Sequence, residues 1–280
     1  MMASDNIMNQ NILVAVDGSP ASQSSAKLAI HLAKLYHDTI NGLYVVDSDF
    51  ITESRTEFQA ELEAVKKGHS RSEIFSQFQA QGNQLLDQLS VDCLNNGVPA
   101  TKELVFGSVS DVIQARGESF SFLSLGRRGR RHAQDPKALG HNFRKILHSF
   151  NKPIIVGGED HSLIHRILLT YPDRASLDRS NDLIPMVIGP LLGDTAIRES
   201  QERAPENSSD QAQPSAQELL STYDVIQIEG KSVDEIITEA LKHDVDFLLL
   251  AGYHHHATLP WTRTVIEQVL QKANYPTIIL

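Results

Sequence analysis

Cysteine is nearly absent from this chain. The one it has, Cys93, cannot close an internal disulfide. That excludes a disulfide-built scaffold and favours a reducing cytoplasmic setting. No apolar run reaches the length needed to cross a bilayer, so no membrane partner is expected. The opening MMASDNIMNQ has no cationic segment followed by an apolar one, so no secretory signal is expected. Positive charge is also short. The formal net charge is −10, and polyphosphate repels an acidic protein, which argues against generic nucleic-acid binding. Finally, no nucleophile with an adjacent base and no carboxylate pair stands out as catalytic machinery.

What is present suits two ordinary soluble domains: 280 residues, 41% of them hydrophobic. The run Ile12, Leu13, Val14, Ala15, Val16 has no polar alternation, the pattern of a strand buried on both faces. Asp17, Gly18, Ser19 and Pro20 end it. Ser19 suits an N-cap and Pro20 the first helical position. Ala26, Ala29, Ile30 and Ala33 follow at helical spacing, and a second strand reads from Gly42 to Val46. Residues 48–97 are polar and expected to be mostly helical, with Leu85, Leu86, Leu89 and Leu94 as the packed face of the last helix. Cys93 sits among them and is expected to be a buried structural thiol. A third strand is expected near 101–106, a turn at Gly107, and a helix capped by Ser108. A fourth strand runs from Phe122 to Leu125, a helix lies near 141–149, and a fifth strand ends at Val156. This alternation calls for a parallel sheet with helices on both faces.

The second half repeats the plan. Ile167–Tyr171, Tyr223–Ile228, Phe247–Ala251 and Pro276–Leu280 match strands one, three, four and five in order, and Pro185–Ile188 is taken as strand two. Such ordered repetition is a sign of duplication. The expected units are residues 10–158 and 163–280, joined by a linker at 157–162. The second unit is shorter in its first helices. Residues 199–217 read as a mobile insertion or frayed helix.

In open parallel sheets, ligands bind beyond the carboxyl ends of the strands. In the first half Asp17, Gly18 and Ser19, then Gly107, then the loop after strand four converge there. That loop carries Gly126, Arg127 and Gly129, then ten residues, then Gly140, His141 and Asn142 entering a helix. Glycines let main-chain N–H groups approach an anion, and a helix N-terminus favours one. Residues 127–145 also hold seven Arg and Lys against one Asp, which suggests a local anion or, equally, a solvated loop. Asp17 could accept hydrogen bonds from a ribose or a base edge. In the second half Pro172 or Asp173 replaces Asp17, Tyr253 follows Gly252, and Trp261 and Thr262 stand where glycine and serine would be expected. That copy is not expected to bind phosphate. The run His254–His256 is read as surface histidines, not a metal site.

These residues resemble the universal stress protein family in its tandem two-domain form. The resemblance rests on Val16, Asp17, Gly18 and Ser19, on the Gly126, Gly129 and Gly140 loop, and on the Pro-led apolar strand that ends each half. It implies two tandem, doubly wound, five-stranded parallel sheets with strand order 3-2-1-4-5. It also implies pairing of the halves through their last strands as an intramolecular pseudo-dimer, which would cover exposed strand edges. Many members bind ATP, with Mg, at the glycine loop. The family pattern has nine residues before the third glycine and Ser or Thr after it. Here there are ten, and His141 follows.

Two readings remain open. One is a cytoplasmic stress-response protein, non-enzymatic or a slow ATPase, holding ATP in its first domain. The other is a nucleotide-free scaffold for a protein partner or an apolar ligand. A homodimer is compatible with either. An adenylating enzyme would need a pyrophosphate-gripping Ser-Gly-Gly loop after strand one, which Asp17, Gly18, Ser19 and Pro20 do not supply.

Overall fold

Apolar runs without alternation become strands covered on both faces, and the first of these, β1 (Ile12–Ala15), is buried along its whole length. The computed structural model describes residues 11–47, 71–129, 138–158, 164, 166–191, 224–230, 232–252 and 260–280. After β1 come α1 (Pro20–Tyr36), β2 (Ile40–Asp47), α2 (Arg71–Asn95), β3 (Ala100–Gly107), α3 (Val109–Gly117), β4 (Phe122–Ser124), α4 (His141–Ser149) and β5 (Ile154–Val156). The second half supplies β6 (Ile167–Tyr171), α5 (Arg174–Arg179), α6 (Leu183–Leu191), β7 (Val225–Glu229), α7 (Val233–Lys242), β8 (Phe247–Leu250), α8 (Pro260–Lys272) and β9 (Thr277–Ile279).

The strands form one sheet in the order β3-β2-β1-β4-β5-β9-β8-β6-β7. The last strands of the two halves, β5 and β9, are neighbours at its centre. The first half has the order 3-2-1-4-5, with every neighbour parallel. The described residues of the second half give four strands, all parallel to one another. The halves meet where β5 pairs antiparallel with β9, Ile154 opposite Ile279 and Val156 opposite Thr277. The two sets of strands therefore run in opposite directions. The carboxyl edge of the first half lies on the same side as the amino edge of the second.

Pro185–Ile188 is not a strand. It lies inside α6, whose Ile184, Val187, Ile188 and Leu191 are all buried. Their i, i+3, i+4, i+7 spacing is helical, and a four-residue apolar run cannot declare its period. The helix packs on the first half, with the Tyr36 hydroxyl donating to the Val187 carbonyl at 3.4 Å.

Each face of the sheet carries an apolar core that crosses the seam, and Tyr44, Val46 and Leu86 form a smaller third cluster. On one face α1, α2, α5 and α6 contribute, with Leu28, Leu89, Leu177 and Val187 in a single cluster. On the other face are α3, α4, α7 and α8, with Ile113, Phe143, Ile236 and Ile266. Cys93 is buried as expected, and burial, with Asp92 beside it, pushes its thiol up to about 11. Leu94 is not part of the packed face. It is 76% exposed, because Leu86, Leu89 and Cys93 complete the inward stripe.

Candidate functional site

The residues that end β1 shape the site first. Ser19 caps α1, its hydroxyl oxygen accepting the Ser22 N–H at 3.1 Å. The same hydroxyl donates to the Arg128 carbonyl at 3.0 Å. Ser19 is therefore buried and committed to holding the glycine loop rather than presented to a ligand. Gly18 has φ +80, where a side chain would be strained, and it sits under Leu85 of α2. Asp17 receives the Ser19 N–H on Oδ1 at 2.8 Å. Its Oδ2 lies 3.2 Å from where a Cβ on Gly129 would be. A carboxylate thus stands across the loop from Gly129.

The loop after β4 is anchored residue by residue. Gly126 is pressed against α1, since a Cβ there would come within 2.5 Å of the Ser22 nitrogen and 2.8 Å of the Ala21 carbonyl carbon. It is a close-packing glycine. The Arg127 carbonyl accepts the Gly140 N–H at 2.9 Å and brings the two ends of the loop together. A Cβ on Gly140 would be 3.4 Å from the Gly129 nitrogen. Gly129 and Gly140 therefore lie side by side, next to the first turn of α4. Gly140 is the N-cap of that helix. The N–H groups of His141, Asn142 and Phe143 have no acceptor within the helix, and the first helical bond there is Arg144 N–H to the Gly140 carbonyl at 3.0 Å.

Two residues named from sequence are placed elsewhere. The Arg127 guanidinium, expected at the anion, turns to the second half, where one nitrogen donates to the Leu270 carbonyl at 2.9 Å and the Ala273 carbonyl at 2.7 Å. It is 5% exposed. Gly107 ends β3, three strand spacings from β4, roughly 14 Å at ~4.8 Å per strand. A Cβ there would meet Val112 at 2.7 Å, so its smallness serves the turn into α3. Two further cations of the basic cluster have partners within the chain. Arg144 and His148 face Glu267 at 3.6 and 2.7 Å, and Lys145 pairs with Asp111 at 2.7 Å. Arg130, Arg131 and Lys137 lie outside the described residues, as do His254–His256, the side chains of Trp261 and Thr262, and residues 199–217.

Sequence reading missed the second-half counterpart of the Gly126 contact. Gly252 has φ +72, and a Cβ on it would lie 2.5 Å from the Ser176 Cβ. Asp173 caps α5 by accepting the Ser176 N–H at 2.7 Å, so it plays the part of Ser19 more than that of Asp17. The glycine after strand four in each half was the available signal. Among the described residues no group of three or more His, Cys, Asp or Glu is placed to hold a metal ion, and no helix is long and apolar enough to cross a membrane.

An open parallel sheet, with a glycine-bearing loop and a helix N-terminus at its carboxyl edge, defines a doubly wound α/β protein of the kind that receives ligands at that edge. More narrowly, the chain belongs to the universal stress protein family, whose model matches residues 8–156. A solved universal stress protein from Archaeoglobus fulgidus is similar over 97% of this chain and 98% of its own, at 16% identity and a TM-score of 0.64. A functionally unknown protein from Pseudomonas aeruginosa is similar over 98% of this chain and 93% of its own, at 12% identity and a TM-score of 0.58. The universal stress protein UspA from Lactobacillus plantarum covers 53% of this chain with 97% of its own, at 22% identity and a TM-score of 0.41. At such identities the likeness to the first two is one of fold. No curated protein sequence matches the chain.

Proposed function

We propose that the protein is a cytoplasmic stress-response protein that holds Mg-ATP at the glycine loop of its first half, without enzymatic turnover or with only slow hydrolysis. The observation that carries this reading is the placement of Gly129 and Gly140 side by side at the N-terminus of α4, with the Asp17 carboxylate across from them. Main-chain N–H groups and the helix dipole there suit phosphate. Asp17 would repel phosphate but would accept hydrogen bonds from a ribose or an adenine edge. The nucleotide would thus lie with its sugar toward β1 and its phosphates toward α4. Gly129, Gly140, His141 and Asn142 are the contacts this reading needs. Arg127 and Ser19 act behind them.

Calorimetric titration of nucleotide-stripped protein with Mg-ATP tests it, alongside Gly140→Asp and Gly129→Asp. About one site per chain, lost in both variants, is the expected result. Absence of heat and of any thermal shift at millimolar ATP would overturn it.

One observation favours the second reading, a nucleotide-free scaffold. The polar groups of Ser19 and Arg127 are satisfied within the chain, so the loop is held without a ligand. On that reading the second unit, residues 163–280, would recruit a protein partner, and absence of ATP binding would be its first support. Under either reading the paired halves serve as a pseudo-dimer, and a homodimer of chains is compatible with both, β3 and β7 being the outer strands among the described residues.

A further inference from the structure

We infer that occupancy of the glycine loop is coupled to the docking of the second half, and that Arg127 is the positioning residue that carries the coupling. The inference rests on the nucleotide reading above and concerns the regulation of that same site.

The antiparallel seam makes the contact geometrically natural. Helix α8 runs back against the strands of the second half, so its C-terminus lies at their amino edge. Because the halves run in opposite directions, that edge is also the carboxyl edge of the first half, where the loop sits. The last carbonyls of a helix have no acceptor role within it and carry partial negative charge. Arg127 supplies a buried cation to two of them, Leu270 and Ala273. The next residue, Asn274, has a side-chain oxygen shielded from solvent with no hydrogen-bond partner among the described residues.

The same residue closes the loop, since the Arg127 carbonyl accepts the Gly140 N–H. Its main chain is therefore tied to the N-cap of α4 while its side chain is tied to α8. Helix α4 also touches α8 directly, through Arg144 and His148 on Glu267, a contact that bypasses Arg127. A ligand that fixes Gly129 and Gly140 fixes the Arg127 backbone and, through it, the α8 terminus. Linkage requires the reverse as well: loosening α8 must weaken the ligand by the same factor.

The test is amide hydrogen exchange across residues 266–280 of the full chain, with and without Mg-ATP, paired with calorimetry. In the unaltered protein, ATP should slow exchange at Leu270–Tyr275 by fivefold or more. Arg127→Met should abolish that slowing and weaken ATP by about tenfold. Arg127→Lys, which keeps a cation within reach of both carbonyls, should restore most of both effects. Glu267→Gln should leave the slowing intact. ATP binding at full strength in Arg127→Met, or ATP-dependent protection that persists in it, would overturn the coupling while leaving the site. Absence of ATP binding in the unaltered protein would instead remove the site, and the coupling with it. Native circular dichroism of each variant separates these results from unfolding.

Discussion

Gly140 donates its amide proton to the carbonyl of Arg127 at 2.9 Å, drawing the start of α4 back onto the start of its own loop. The bond leaves Gly140 as N-cap in extended geometry, φ −62 and ψ 146, with no side chain to cap the helix. Aspartate is among the preferred residues at such a position. Gly140→Asp should therefore keep or raise stability by a few tenths of a kcal/mol. Its carboxylate would occupy the place of an incoming anion. Urea denaturation and ATP titration of the one variant check both halves of the prediction. Lost binding with an intact fold is the expected pair of results.

Gly126→Ala should behave in the opposite way. Its Cβ would fall 2.5 Å from the Ser22 nitrogen and 2.8 Å from the Ala21 carbonyl carbon, and the main chain of α1 cannot swing aside. A loss of about 1–3 kcal/mol is expected from the overpacking. Gly252→Ala should lose at least as much, since it adds the strain of φ +72 to a 2.5 Å approach on Ser176. Equilibrium unfolding midpoints measure both.

Ser19→Ala removes a helix cap and the strap on Arg128 together. Loss of the cap should cost about 1 kcal/mol. The strap adds a second effect, faster amide exchange at Gly126–Gly129, which substitution of an ordinary cap would not produce. Exchange rates at those four residues decide it.

Leu86 and Leu94 occupy the same helix but opposite environments, 2% and 76% exposed. Leu86→Ala should cost about 2–5 kcal/mol. Leu94→Ala should stay within about 0.5 kcal/mol. Paired denaturation curves would show whether the stripe is Leu86, Leu89 and Cys93.

Burial holds the Cys93 thiol in its protonated form, raising it from 9.0 to about 11. The folded state keeps this proton after the unfolded chain has lost it. The contribution of Cys93 to stability is thus full below about pH 9 and declines as pH rises toward 11. In Cys93→Ala that part of the alkaline slope should vanish. Reaction with a thiol reagent at neutral pH should be slow in native protein and fast in denaturant.

Much of this molecule was legible because its signals are local. A strand buried on both faces announces itself by an unbroken apolar run, as β1 does, and the repeat then placed β6 and β8 by their likeness to β1 and β4. The start of α1 followed from Ser19 and Pro20, and that of α3 from Ser108. The Gly126, Gly129 and Gly140 loop was visible as glycines between a strand and a helix. Short segments failed where the period could not show, as at Pro185–Ile188, or where a neighbouring residue completed the stripe, as Cys93 does in place of Leu94.

By itself, then, the sequence determined the alternation of strand and helix, the caps, and where the backbone must come close to something. These depend on groups within a turn or two of one another. The tertiary structure alone decided that β5 meets β9 in antiparallel direction, with Ile154 opposite Ile279, and that Arg127 serves α8 rather than an anion. A guanidinium is drawn to whichever acceptors the fold brings within reach. The carbonyls of Leu270 and Ala273 lie more than a hundred residues along the chain, and only the opposed directions of the two halves place them there.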